Sequence, residues 1–125
     1  MAGASTTLHE DEAKIAPSTV ERHRAIISLM EELEAVDWYD QRVDATSDPQ
    51  LKALLEHNRD EEKEHAAMML EWLRRNDAGW DEQLRDYLFT EGPIHQIEAE
   101  LEGSDSPRAT PSDPGSLGIG SLKGT

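Results

Sequence analysis

Residues 51–72 read LKALLEHNRDEEKEHAAMMLEW, and their spacing decides the fold. Leu51, Leu55, Asn58, Glu62, His65, Met69 and Trp72 recur at alternating steps of four and three, the face that an α-helix turns towards a neighbour. Leu occupies one end of this seam, Met and Trp the other, and three polar residues stand between them. Working back, Asp48-Pro49 starts this helix. Asp48 is the expected N-cap, and Pro49 sits at N1, where its missing N–H costs nothing. Asn76 is the expected end, with Gly79 supplying a positive φ beyond it.

Ala45-Thr46-Ser47-Asp48-Pro49 forms a short turn, and before it lies a second seam. Ala25, Leu29, Glu32, Val36, Tyr39 and Val43 repeat the four-three step, which predicts a first helix to about Asp44. Ser18-Thr19-Val20-Glu21 has the form of a capping box at its start, with the Ser18 hydroxyl accepting from the Glu21 backbone N–H. Beyond Gly79, Trp80 to Thr90 reads as a shorter helix with Leu84, Tyr87 and Leu88 on one face. Gly92-Pro93 breaks it, and Ile94 to Leu101 is a last helical piece. No strand pattern occurs. The expectation is an all-α chain: an antiparallel two-helix hairpin plus a short C-terminal helical part, over residues 17–102. Residues 1–16 precede it as a flexible segment, and 103–116 follow as a disordered linker.

Composition narrows the chemistry. The chain has 125 residues, with 12 Lys plus Arg against 27 Asp plus Glu, for a formal net charge of −15. Such a surface repels nucleic acid and anionic membrane and attracts cations. Cysteine is absent, so a metal must be held by carboxylates and imidazoles, a set that suits iron. Nothing at the start resembles a signal peptide, and no apolar run is long enough to span a bilayer, so a soluble cytoplasmic protein is expected.

Glu62-x-x-His65 places a carboxylate and an imidazole on one helical face. Folding the hairpin about Thr46 and Ser47 brings Glu32, about fourteen residues from the turn, to within roughly one helical turn of the height of Glu62 and His65. On an acidic helix Glu-x-x-His is more often plain surface than a ligand pair. Here the seam argues otherwise, because a lone carboxylate there costs several kcal/mol unless it is paired or metal-bound. Bridged di-iron bundles combine a Glu from one helix with Glu-x-x-His from another and need that set twice. This chain holds it once, since His95 and Glu98 have the reverse order. A twofold-related copy supplies the second half, making a four-helix bundle from two hairpins. Asn58 fits register-setting or ligand support equally. Glu31 and Glu34, beside Trp38, read as a solvated acidic face from charge alone. Tyr39 fits packing or a hydrogen bond to a ligand. His57, Glu61 and Glu64 share another face and form a candidate outer metal site. Met68, Met69, Leu70 and Trp72 read as packing.

The stretches from His23 to Ile26, Met30 to Asp44, His57 to Met68, Glu71 to Arg75 and Tyr87 to Thr90 closely resemble the encapsulated ferritins, across residues 20–93. The resemblance implies a half-ferritin subunit that dimerises to form a di-iron ferroxidase centre, with dimers closing into an annular homodecamer. It places the ligands on Glu32, Glu62 and His65, and an iron-access site on Glu31 and Glu34 near Trp38. Calcium or another divalent ion is the candidate for secondary positions. The ending, LGIGSLKG at 117–124, resembles the cargo-loading peptide that docks to an encapsulin shell, which implies a nanocompartment in a prokaryotic cytoplasm and iron mineral storage there. Two other readings stand beside this one: a non-enzymatic helical adaptor, and a divalent-metal binding module without turnover.

Overall fold

The computed structural model describes residues 6–103. The expected docking peptide and all of the expected linker but Gly103 lie outside them. Described residues are helical or irregular, with no strand among them. The described residues divide into two compact units that part between Asn76 and Asp77.

The first unit opens with a 3-10 turn, Glu12–Lys14, capped by Asp11, whose side chain accepts from the Ala13 N–H. Helix α1 spans Pro17–Ala45. The expected capping box is not formed. Ala16 is the N-cap, with extended backbone (ψ 144°), and no side chain caps the helix. Proline explains the shift: it forces the preceding residue out of the helical region and fits N1 itself. Ser18 is therefore already inside the helix, where its hydroxyl cannot cap. Helix α2 spans Pro49–Asn76 and begins as expected, Asp48 Oδ1 accepting from the N–H groups of Gln50 (3.0 Å) and Leu51 (3.4 Å). Three residues, Thr46–Asp48, connect the helices, so α1 and α2 pack as a hairpin.

Ala25 and Val43 on α1 and Ala66 and Leu73 on α2 are the buried apolar residues of this unit, Leu73 completely so. Ala66 and Leu73 each follow by one position the residues assigned to the seam, His65 and Trp72. His65 remains half-buried and Trp72 is 37% exposed. A four-three pattern marks every apolar or ligand-bearing contact a helix makes, and here the hairpin accounts for only part of it. Ile26, Met30, Leu33, Trp38, Leu51, Leu54 and Met68 are also exposed.

In the second unit, α3 spans Ala78–Tyr87, starting earlier and ending earlier than expected. Asp77 is its N-cap, with Oδ1 accepting from Gly79 N–H (2.9 Å) and Trp80 N–H (3.4 Å). Gly79 is thus in the first turn of α3 and not a positive-φ stop; a side-chain cap satisfies the helix start directly. Asp81 is buried and accepts from Arg85 Nε on both carboxylate oxygens, each at 3.0 Å. Helix α3 stops before Phe89, whose φ of 60° cannot continue it. Gly92, at φ 86°, takes the left-handed turn that only glycine adopts freely. Helix α4 follows over Ile94–Glu102.

Candidate metal centre

Glu32 comes from the middle of α1, and Glu62 and His65 from successive turns of α2. The hairpin brings one ligand atom from each to within 4.8 Å of the others. All three are half-buried. Among the described residues this is the one group of three or more His, Asp or Glu side chains that converge in this way. His65 Nδ1 lies 3.4 Å from Glu62 Oε1, a long contact that orients the two without saturating either.

Glu32 is the unusual member. Its Oε1 is buried and has no hydrogen-bond partner, although a buried carboxylate oxygen ordinarily finds a donor. Burial raises its pKa above the usual carboxylate value; Glu62 and Glu31 push the same way, and His65 partly opposes them. This side chain is desolvated, electron-rich and short of a positive partner. A divalent cation would relieve all three conditions, and the donor set of two carboxylates and one imidazole suits iron, zinc or manganese.

The remaining sequence-derived candidates are more open. Glu31 and Glu34 are exposed on α1, and Trp38 is 48% exposed. His57, Glu61 and Glu64 are exposed along α2, and a single chain does not gather them into a group of convergent ligands. Tyr39 is half-buried. The Arg42 guanidinium stands over both aromatic rings, 5.9 Å from the Trp38 centroid and 5.6 Å from that of Tyr39. Sequence reasoning passed over Arg42, yet its spacing from Trp38 and Tyr39, at i+4 and i+3, was the available signal.

Residues 7–91 match the model of the EncFtn-like family. The chain belongs to that family. It is 65% identical to an encapsulated ferritin-like protein of Rhodospirillum rubrum, over 99% of this chain and 93% of that one. It is 57% identical to a ferritin-like protein of Thermotoga maritima, over 76% of this chain and 83% of the relative. An encapsulin nanocompartment cargo protein of Myxococcus xanthus is 35% identical, over 70% of each chain. Among solved structures, the crystal structure of a protein from Nitrosomonas europaea superposes with a TM-score of 0.67 at 61% identity, covering 70% of this chain and 96% of that one. The EncFtn-like chain is thus an all-helical, ferritin-like protein. Among its described residues, no helix is long and apolar enough to cross a membrane.

Proposed function

We propose that this chain is a ferroxidase cargo protein whose di-iron centre is completed by a second copy. Two hairpins pack through their open edges into a four-helix bundle, so that two Glu32, two Glu62 and two His65 surround a pair of iron ions. The observation that carries the reading is the convergence of Glu32, Glu62 and His65 around a carboxylate oxygen that is buried without a donor. Further support comes from His65 and Trp72, which follow the seam pattern yet remain half-buried and 37% exposed in a single chain, leaving surface that a neighbour would cover.

Fe(II) is the substrate. Burial raises the Glu32 pKa above its ordinary value, and an approaching cation favours its ionised form. Glu62 and Glu32 supply hard oxygen donors that favour Fe(III), while His65 retains Fe(II) before oxidation. Each Fe(II) yields one electron; two electrons and two protons from solvent convert one dioxygen to hydrogen peroxide, or four of each convert it to two waters, and Fe(III) leaves for mineral storage. Glu31 and Glu34, exposed beside Trp38, are proposed as the path inward, and His57, Glu61 and Glu64 as a peripheral site for calcium or another divalent ion. Dimers assemble into an annular homodecamer, and residues 117–124 dock it inside an encapsulin shell in a prokaryotic cytoplasm. The names of the Rhodospirillum and Myxococcus relatives support that location.

The test mixes anaerobic Fe(II) with the protein in air and follows oxygen uptake and Fe(III) absorbance together. Wild type should consume oxygen in proportion to iron oxidised. A Glu32→Ala, Glu62→Ala, His65→Ala triple variant that oxidises iron as fast as wild type sinks the assignment. Metal uptake without oxygen consumption would instead identify a binding module, and indifference to metal an adaptor.

A further inference from the structure

Outside the candidate centre, an ion pair between Arg59 and Asp40 ties the two long helices directly. Arg59 Nη1 on α2 donates to Asp40 Oδ1 on α1 at 3.2 Å, nineteen positions away, while Arg59 Nε donates to Asp60 Oδ1 at 3.2 Å. The Arg59 side chain is 22% exposed and that of Asp40 53%. An ion pair so open to water adds little to global stability. Its position is more informative. Arg59 lies about one helical turn before Glu62, and Asp40 about two turns after Glu32.

The buried apolar residues of the hairpin are Ala25 and Val43 on α1 and Ala66 and Leu73 on α2; both on α1 are short side chains, whose low ridges and shallow grooves constrain its roll less than bulkier ones would. The turn at Thr46–Asp48 fixes how far along α2 each residue of α1 lies, but not which way it faces. Glu32 Oε1 has no hydrogen bond to hold it, so its aim is set by the orientation of α1. Rolling a helix by about 20° sweeps a side-chain tip through about 2 Å. Metal–ligand distances tolerate only about 0.2 Å.

We propose that Arg59 is a positioning residue: gripping Asp40, it sets the roll of α1 against α2 and keeps Glu32 aimed at Glu62 and His65. The inference rests on reading those three residues as a metal centre. The planar guanidinium suits this role, because its fixed fork can hold Asp40 and Asp60 together, whereas a lysine ammonium offers no such directional lock.

The experiment titrates Fe(II) under argon into the full chain by calorimetry and compares wild type, Arg59→Met, Asp40→Asn and the charge swap Arg59→Asp with Asp40→Arg. Arg59→Met and Asp40→Asn should retain wild-type helicity and native mass yet bind Fe(II) about 2- to 5-fold more weakly, the loss that an exposed ion pair of this strength can transmit to binding. The charge swap should recover most of that loss, which a packing role for Arg59 would not predict. Unchanged affinity in Asp40→Asn overturns the proposal, as does a swap no better than its parent single variants. Because Asp40 is more than half exposed, its variant keeps the test valid even where Arg59→Met fails to fold. Wild type that takes up no Fe(II) at all overturns the centre itself, and with it this inference.

Discussion

Glu32 on α1 and His65 on α2 hold their ligand atoms within 4.8 Å of each other, and the attraction of the imidazole opposes the burial that raises the Glu32 pKa. The balance is incomplete, since Glu32 Oε1 still lacks a donor. The metal-free chain therefore carries a local destabilisation at the point where its proposed chemistry takes place.

Relieving that destabilisation should separate stability from function. Glu32→Gln supplies an amide that needs no counter-charge and should stabilise the metal-free protein by about 1 kcal/mol, the lower end of the cost of an unsatisfied buried group. Iron oxidation should fall to the level of the triple variant. Thermal melting in chelator, read beside oxygen uptake, checks both halves; a destabilised Glu32→Gln protein would contradict the first.

Acid should act through two carboxylates with opposite signs. Arg74, with help from Arg75, draws the Glu71 pKa down from 4.5 to about 2, through hydrogen bonds of 2.8 Å from Arg74 Nε and Nη2 and 2.6 Å from Arg75 Nε. A depressed carboxylate contributes stability that is complete above its unfolded value and is lost as pH falls through the folded one. Glu71→Gln should therefore flatten the acid limb of stability between pH 4.5 and about 2. Glu32 behaves in reverse: its raised pKa favours the folded state while protonated, so its penalty grows as pH rises above 4.5. Melting temperatures in chelator across pH 2 to 7, for wild type and the Glu71 and Glu32 variants, resolve the two contributions.

Among the described residues, Leu73 is the one large side chain buried completely. Leu73→Ala should cost about 3 kcal/mol, from lost transfer energy and the cavity left behind. Leu54→Ala, at a side chain 56% exposed in the single chain, should cost far less in a monomer. Urea unfolding of both at micromolar and submicromolar protein checks the contrast.

Removing residues 117–124 should leave the iron oxidation rate unchanged while abolishing capture by encapsulin shell protein. Co-purification with the shell, with and without the deletion, provides the measurement. Capture that survives the deletion would move the docking determinant elsewhere in the chain.

Much of this was legible in the sequence because local rules agreed. Asp48 and Pro49 cap α2 as their chemistry requires, and the four-three spacing around Glu32 and Glu62 locates the convergence to within one turn. The failures came where two local signals competed. Pro17 took the helix start from Ser18, since a fixed φ outweighs a hydroxyl cap, and Asp77 took the start of α3 before Gly79 could end α2. The missed position of Ala66 has a different cause. Spacing alone does not distinguish a residue that faces its own hairpin from one that faces outward, and Ala66 gives no hydrophobic signal strong enough to mark the boundary. The orphaned Glu32 oxygen has no sequence signature at all, because it depends on what fails to approach it.

That oxygen also bears on protein engineering. Any redesign that ranks substitutions by the stability of one isolated chain should favour replacing Glu32 early, and on the proposed function the resulting protein should melt later and oxidise no iron. If the proposed centre is right, screening such libraries with Fe(II) present is the condition under which retaining Glu32 should become the winning choice.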